Sequence, residues 1–219
     1  MSSVPQKPST AVICVAGLGS RLGLDLPKCL VDFGRKKLID YLLDLLTDFE
    51  EVRLVVGFKE EEVINYVRQI RKDVVFVRNP NFSTTTNSYS LYLGTSDLQQ
   101  PYLTIDGDMI VDPESFKSFV DHCGGDQILL GTTRAKTDDA VFVEVDEEGL
   151  VQSFTREPIS EWEWSGIAYF PANFKVRQEG EYVYQELEPY LPFKSKAVRC
   201  WEIDTPNDLN LAMQEVDFI

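Results

Sequence analysis

The segment that most limits what this chain can become runs from Ala11 to Lys28, where an apolar run breaks into a glycine turn and ends on a basic residue: Ala-Val-Ile-Cys-Val-Ala-Gly-Leu-Gly-Ser-Arg-Leu-Gly-Leu-Asp-Leu-Pro-Lys. Ala11 to Ala16 shows no polar alternation. That is the pattern of a strand buried on both faces, as in the parallel sheet of an α/β fold. Gly17 and Gly19 follow at once, and without Cβ atoms their amides can turn toward a phosphate and approach it closely. A dinucleotide-binding turn needs a helix directly after its glycines, and Gly17-x-Gly19-x-x-x-Gly23 is only a loose relative of that fingerprint. Pro27 falls where the middle of such a helix would be, and Cys29 to Phe33 reads as extended. The segment is therefore expected to wrap a nucleoside triphosphate with a loop and two cations, Arg21 and Lys28.

The pattern downstream supplies the rest of an α/β frame. Leu38, Ile39, Leu42, Leu45 and Leu46 recur at helical spacing across 37–48, Val52 to Val56 reads as a strand, and Glu60 to Glu62 open a helix whose buried face is Val63, Val67 and Ile70. Val74 to Val77 is a third strand and Tyr102 to Ile105 a fourth, so the first half alternates strand and helix as parallel strands with right-handed crossovers do. Asp112 caps a helix begun by Pro113. From Gln127 onward short strands dominate: 128–131, 141–145, 150–154 after a turn at Glu147-Glu148-Gly149, 166–170, and a last one from Ala197 to Ile203. The expectation is a Rossmann-like, mixed but mainly parallel α/β sheet flanked by helices, with a strand-rich second half. At 219 residues the chain suits one domain, 1–219, with 1–10 a polar, disordered tail.

A net charge of −15 argues against nucleic acid as a partner. The first forty residues nevertheless carry six Lys or Arg against three acids. An acidic protein handling phosphates needs such a local cationic pocket and a divalent metal to shield the remainder. Four scattered cysteines form no CxxC pair, and no apolar run is long enough to span a bilayer or serve as a signal peptide. A reduced, cytoplasmic protein without membrane insertion is the simplest expectation. The sequence does not specify an oligomeric state; a homodimer is one it allows.

Several polar residues are expected at strand ends, the ligand-binding edge of an open α/β sheet. Ser83 to Ser88 precedes a short helix around Leu91, where the cluster could cap the helix or face a ligand. Asp106-Gly107-Asp108 ends the fourth strand and offers the hard oxygen donors that Mg²⁺ prefers, or simply flanks a turn. Near the end of the chain, Thr205 is an N-cap, Pro206 the first helical residue and Asp208 the partner of a capping box. That leaves Asp204 without a capping duty. Trp162 and Trp164 lie among Glu157, Glu161 and Glu163, a mixture that can enclose an ammonium group or be ordinary strand aromatics beside solvated acids. The single histidine, His122, is expected on the surface.

Gly17-Leu18-Gly19-Ser20-Arg21-Leu22-Gly23 followed by Pro27-Lys28 resembles the signature loop of the nucleotidyltransferases that make nucleotide-sugars and CDP-alcohols. The resemblance implies that Lys28 and Arg21 are catalytic, that Ala16, Gly17, Gly19 and Ser20 hold the nucleotide with Asp106, and that Asp108 is a metal ligand. Thr-Thr-Asn-x-Tyr-Ser-x-Tyr-Leu is similar to a segment of phosphocholine and glycerol-phosphate cytidylyltransferases, which makes Asn87 and Ser88 contacts to nucleotide or acceptor. Glu-Ile-Asp-Thr-Pro-x-Asp-Leu resembles the closing motif of many nucleotidyltransferases, whose Asp, here Asp204, is the second Mg²⁺ ligand. Trp162, Trp164 and Glu157 are then the acceptor-site candidates. Phe154-Thr-Arg-Glu-Pro158 is faintly similar to a Glu-Lys-Pro element of the sugar branch, with Arg156 ahead of Glu157. The implied reaction transfers CMP from CTP, or a nucleotide from another NTP, to phosphocholine or glycerol phosphate, serving cell-surface polysaccharide synthesis. The short Arg21-to-Lys28 interval keeps a sugar 1-phosphate with UTP or CTP open. A nucleotide-binding regulator without catalysis is the rival from another class.

Overall fold

The computed structural model of this chain describes residues 7–136, 140–157 and 160–218. In chain order its elements are β1 (Thr10–Cys14), β2 (Asp32–Phe33), β3 (Lys36–Lys37), α1 (Leu38–Leu45), β4 (Glu51–Val56), α2 (Glu60–Ile70), β5 (Val74–Arg78), α3 (Asn87–Thr95), β6 (Tyr102–Asp106), β7 (Met109–Val111), α4 (Pro113–His122), β8 (Leu129–Arg134), β9 (Phe142–Val145), β10 (Leu150–Thr155), β11 (Trp162–Phe170), α5 (Val183–Leu187), β12 (Phe193–Ala197), β13 (Cys200–Glu202) and α6 (Pro206–Glu215). Among the described residues no helix is long and apolar enough to cross a membrane.

Nine strands form one sheet in the order β5-β4-β1-β6-β11-β8-β12-β10-β9. β5, β4, β1 and β6 run parallel, β11 lies antiparallel to both β6 and β8, and β12 is parallel to β8. This is the mixed α/β sheet with a strand-rich second half that the pattern predicts. β1 sits between β4 and β6, and its residues alternate between the two faces. Ala11 and Ile13 enter a core with Leu42, Leu54, Val67 and Phe119, whereas Val12 enters another with Leu91, Tyr102 and Phe170. Burial on both faces explains the unbroken apolar run. A third cluster joins Leu22 and Val31 of the glycine-loop region to Ile110, Trp201 and Ile203, and so fixes that loop to the ribbon made by β7 and β13.

Some boundaries differ from expectation for local reasons. Thr10 is fully buried and pairs with Glu51, so it belongs to β1 and not to a tail; residues 1–6 of that tail lie outside the described residues. Pro158 also lies outside them. Ile70 is 51% exposed, and Ile64 takes its place beside Val63 and Val67 on the buried face of α2. Lys28–Leu30 forms a single 3₁₀ turn, so the chain after Pro27 extends only from Val31. The expected strand 197–203 is two: β12 ends at Ala197 in the main sheet, and β13 starts at Cys200 against β7.

Candidate active site

The site is assembled at the C-terminal ends of β1 and β6, whose last residues, Cys14 and Asp106, are register partners. Gly107 donates its amide to the Cys14 carbonyl at 3.1 Å. A Cβ there would lie 2.3 Å from Val15 Cγ1 and 2.6 Å from that carbonyl. Only glycine lets the chain turn this close to β1 and leave a carboxylate on either side of the turn. β7 then pairs antiparallel with β13, Met109 opposite Glu202, and the Ile203 amide donates to the Asp108 carbonyl at 2.9 Å. This short ribbon carries residue 204 to residue 108.

Lys28 enters the same space from the glycine loop. Gly19 has φ of 61°, and a Cβ on it would lie 2.7 Å from Lys28 Cγ, so the loop is shaped around the lysine stem. Lys28 Nζ is 3.0 Å from Asp108 Oδ2 and donates to Asp204 Oδ1 as well, while Arg21 Nη2 lies 2.6 Å from Asp204 Oδ2. The Asp204 side chain is free for these cations because Asp208 serves the helix: its Oδ2 accepts the Thr205 amide at 2.7 Å and the Asp204 amide at 3.2 Å. Lys28, Arg21, Asp108 and Asp204 are therefore in direct contact, although 176 residues separate the second lysine–aspartate pair in sequence.

Sequence reasoning missed one carboxylate. Single oxygens of Asp108, Glu202 and Asp204 lie within 4.8 Å of one another. The available signal was the spacing of Glu202 and Asp204, since alternate residues of an extended segment share a face. Glu202 is an exposed residue whose carboxyl faces the cleft; desolvation there, then the charges of Asp108 and Asp106, raise its pKa against the pull of Lys28 and Arg21. Asp106 is pushed up to about 7 by burial and by Asp108, with the Asn87 hydrogen bond and then Lys28 opposing. That bond runs from Asn87 Nδ2 to Asp106 Oδ1 at 2.9 Å. Clustered carboxylates that resist ionising together are a donor set a divalent cation would stabilise.

Two cavities meet here. One of ≈ 250 Å³ is bordered by Ala16, Gly17, Gly19, Lys28, Gly107 and Asp108. The other, of ≈ 420 Å³, is bordered by Arg156, Glu163, Trp164, Glu181, Tyr182 and Tyr184. Arg21, Thr86, Asn87, Asp106, Glu202 and Asp204 border both, so the carboxylates and cations sit at their junction. α3 starts at this junction with Thr86 as its N-cap, and no side chain caps it. The Thr-Thr-Asn cluster is thus not used up in capping that helix.

The remaining candidates are placed unevenly. Trp164 borders the larger cavity with its indole N–H bonded to the Ile167 carbonyl at 3.1 Å. Trp162 borders a separate depression, with the Arg134 guanidinium 4.3 Å over its ring. Glu157 is exposed beside Thr155 and borders neither cavity of the site. Ser20 is likewise exposed and borders neither. Ser88 borders the larger cavity, but its hydroxyl is donated to Glu186 at 2.8 Å. His122 is exposed at the end of α4.

Residues 11–164 match the family described as the MobA-like NTP transferase domain. Among characterised relatives, CMP-5'-(3-aminopropyl)phosphonate synthase of Streptomyces rubellomurinus is 34% identical over 113 residues, which is 48% of this chain but only 18% of that protein. The inositol-1-phosphate CTP transferase from T. maritima superposes with a TM-score of 0.78 at 19% identity, covering 97% of this chain and 98% of that one. The CTP:phosphocholine cytidylyltransferase from Streptococcus pneumoniae superposes with a TM-score of 0.76 at 23% identity, covering 94% and 97%. At these identities the two structures establish a shared fold.

Proposed function

Because this chain belongs to the MobA-like NTP transferase family, we propose that it transfers CMP from CTP to a small phosphorylated acceptor such as phosphocholine or glycerol phosphate. The observation that carries this reading is the meeting of Lys28 and Arg21 with the carboxylates of Asp108 and Asp204 where the two cavities join. A nucleotide in the smaller cavity and an acceptor in the larger one would bring their phosphates together at that junction.

In the reaction an oxygen of the acceptor phosphate forms a bond to the α-phosphorus while the bond from that phosphorus to the bridging oxygen breaks, and pyrophosphate leaves. An ionised phosphate is already a nucleophile near neutral pH, so the chain need supply no general base, and its task is positioning and charge neutralisation. The open amides of the Gly17–Gly19 turn suit the triphosphate, and Arg21 and Lys28 offset the charge that grows on the leaving group. Asp108 and Asp204, with Glu202 beside them, fit Mg²⁺ as hard oxygen donors, and Mg²⁺ bound there would supply Lewis-acid neutralisation of the α-phosphate. Asn87 holds Asp106 in place at the seam.

The walls of the larger cavity bear on the acceptor. Trp164, Tyr182 and Tyr184 present aromatic surface, and Glu163 and Glu181 bring two carboxylates against the one guanidinium of Arg156 on the same wall, which favours an acceptor with a positive end, as phosphocholine has, over glycerol phosphate. The three similar proteins described above are named for CTP or a CMP product, which supports cytidine as the base, while other proteins of this fold are named as a thymidylyltransferase and a UDP-glucose pyrophosphorylase. The seven-residue interval from Arg21 to Lys28 favours a second reading, a sugar 1-phosphate acceptor with UTP or CTP. Pyrophosphate release from a panel of NTPs against phosphorylated acceptors separates the two. CTP with a phosphorylated amino alcohol should give the highest kcat/KM; preference for a sugar 1-phosphate would replace the first reading with the second, and release from no pair would refute both.

A further inference from the structure

Glu186 is a carboxylate in the interior, 4% exposed, on a chain whose other acids lie mostly at the surface or at the site just described. Burying it is costly unless its oxygens are hydrogen-bonded. Both are: Oε1 accepts from the Ser88 hydroxyl at 2.8 Å and Oε2 from the Arg177 amide at 2.7 Å. Gly180 makes room for it, since a Cβ there would lie 1.8 Å from Oε1 and 2.7 Å from Ser88 Oγ. The same glycine's carbonyl is 3.5 Å from the Thr86 hydroxyl. Arg177 and Gly180 of the strap 177–184 and Ser88 at the start of α3 thus meet on one side chain, and Thr86 touches the strap through the Gly180 carbonyl.

The strap contributes no strand to the sheet, yet Glu181, Tyr182, Val183 and Tyr184 form one wall of the larger cavity. Its attachment at the other end is Ser88, the neighbour of Asn87, which holds Asp106 at the cavity junction. Stability alone does not call for an acid here, because Val176, Val183 and Leu187 already anchor this segment in the apolar core. What the carboxylate adds is direction: two hydrogen bonds at fixed angles, one to each piece, with the Arg177 guanidinium nitrogen Nε 3.7 Å from Oε2 as its counter-charge on the strap side.

We propose that Glu186 is a positioning residue that ties the acceptor-facing strap to the start of α3 and so sets the geometry of the acceptor wall relative to the phosphate-binding side. The proposal rests on the larger cavity being the acceptor site. Glu186→Ala removes both bonds; Glu186→Gln keeps an oxygen for Ser88 but turns an NH2 group toward the Arg177 amide; Ser88→Ala removes one bond only. With CTP and phosphocholine, Glu186→Ala should raise the acceptor KM about tenfold, the size expected when a charged hydrogen-bonded anchor is lost. The CTP KM should stay within about twofold, and the other two variants should fall between it and the parent. Hydrogen exchange of residues 177–184 should quicken in the same order, with β1 and β6 unchanged. Equal changes in both KM values, or strap exchange unaltered in a folded variant, would overturn the role. If Glu186→Ala does not fold, the Gln and Ser88 variants decide by the same two readouts. If the parent enzyme turns over no acceptor, the cavity assignment fails, and hydrogen exchange alone decides whether Glu186 holds the strap.

Discussion

Replacing Gly19 by alanine isolates the placement of Lys28 from every other property of the loop. Two penalties are expected. The first is backbone strain, because φ of 61° is the left-handed region, where a Cβ costs about 1–2 kcal/mol. For a chain of this size that corresponds to a fall of roughly 2–8 °C in Tm. The second is steric. The new Cβ would lie 2.7 Å from Lys28 Cγ, where unstrained carbon contacts are about 3.5–4.0 Å. The lysine stem must therefore retreat by about 1 Å, and a misplacement of that size can cost about 10²-fold in rate, or about 2.7 kcal/mol in the barrier. Gly23 provides the control: its φ is 69°, yet a Cβ on it meets no atom within 4 Å. Gly23→Ala should show the same loss of Tm with turnover within about threefold of the parent, whereas Gly19→Ala should lose about 10²-fold. Thermal melts and pyrophosphate release on the two variants measure both quantities. Equal turnover in the two would refute the argument that the loop is built around Lys28.

Other expectations follow from single contacts. Asp204→Ala should weaken Mn²⁺ binding, read by electron paramagnetic resonance, and reduce turnover by about 10²-fold or more, the scale of losing a transition-state charge contact. Glu202→Gln should weaken Mn²⁺ binding less than Asp204→Ala does, since glutamine keeps an oxygen donor that alanine lacks, and Asp204 is also the side chain that Lys28 and Arg21 contact directly. Asp112 Oδ1 accepts the Ser115 amide at 2.8 Å at the start of α4, so Asp112→Ala should cost about 1 kcal/mol in chemical denaturation and leave turnover unchanged. Arg53 hydrogen-bonds hold the Asp97 carboxyl below its usual range. Its stabilising contribution is therefore complete above the ordinary carboxylate pKa and is lost as pH falls through the lowered folded value. Because the Asp97 side chain is 68% exposed, screening keeps that contribution to about 0.5 kcal/mol, and Asp97→Asn should shrink by that much the total stability lost on acidification from neutral pH, read from denaturation curves across the range.

What could be read before any coordinates were the long periodic elements and the residues at their ends. β1, β4, α2, β5 and β6 carry five or more residues each in a consistent pattern, and they appear where expected. Asp112 and Thr205 were legible because a cap is a local hydrogen bond between residues three apart. The pairing of β7 with β13 was not, since three-residue strands have no period to detect, and it is this ribbon that sets Asp108 beside Asp204. Glu202 is legible only through its alternate spacing with Asp204, which becomes informative once β13 is known to be extended. Trp162 and Trp164 looked equivalent in sequence, but they fall in different depressions. β11 is irregular between them and Ala168, where Gly166 takes φ of 72° against Asp106. Glu186 gave no signal at all, because its value comes from Ser88, 98 residues away.

The central claim is that the cluster of Lys28, Asp108 and Asp204 serves nucleotidyl transfer at the α-phosphorus. Phosphorus NMR of the purified protein with CTP, Mg²⁺ and phosphocholine tests it directly. The triphosphate signals should give way to inorganic pyrophosphate and to the coupled pair of a new diphosphate diester, and Asp204→Ala should slow the appearance of both by about 10²-fold or more. Release of inorganic phosphate with CDP instead, or undiminished product from Asp204→Ala, would contradict it.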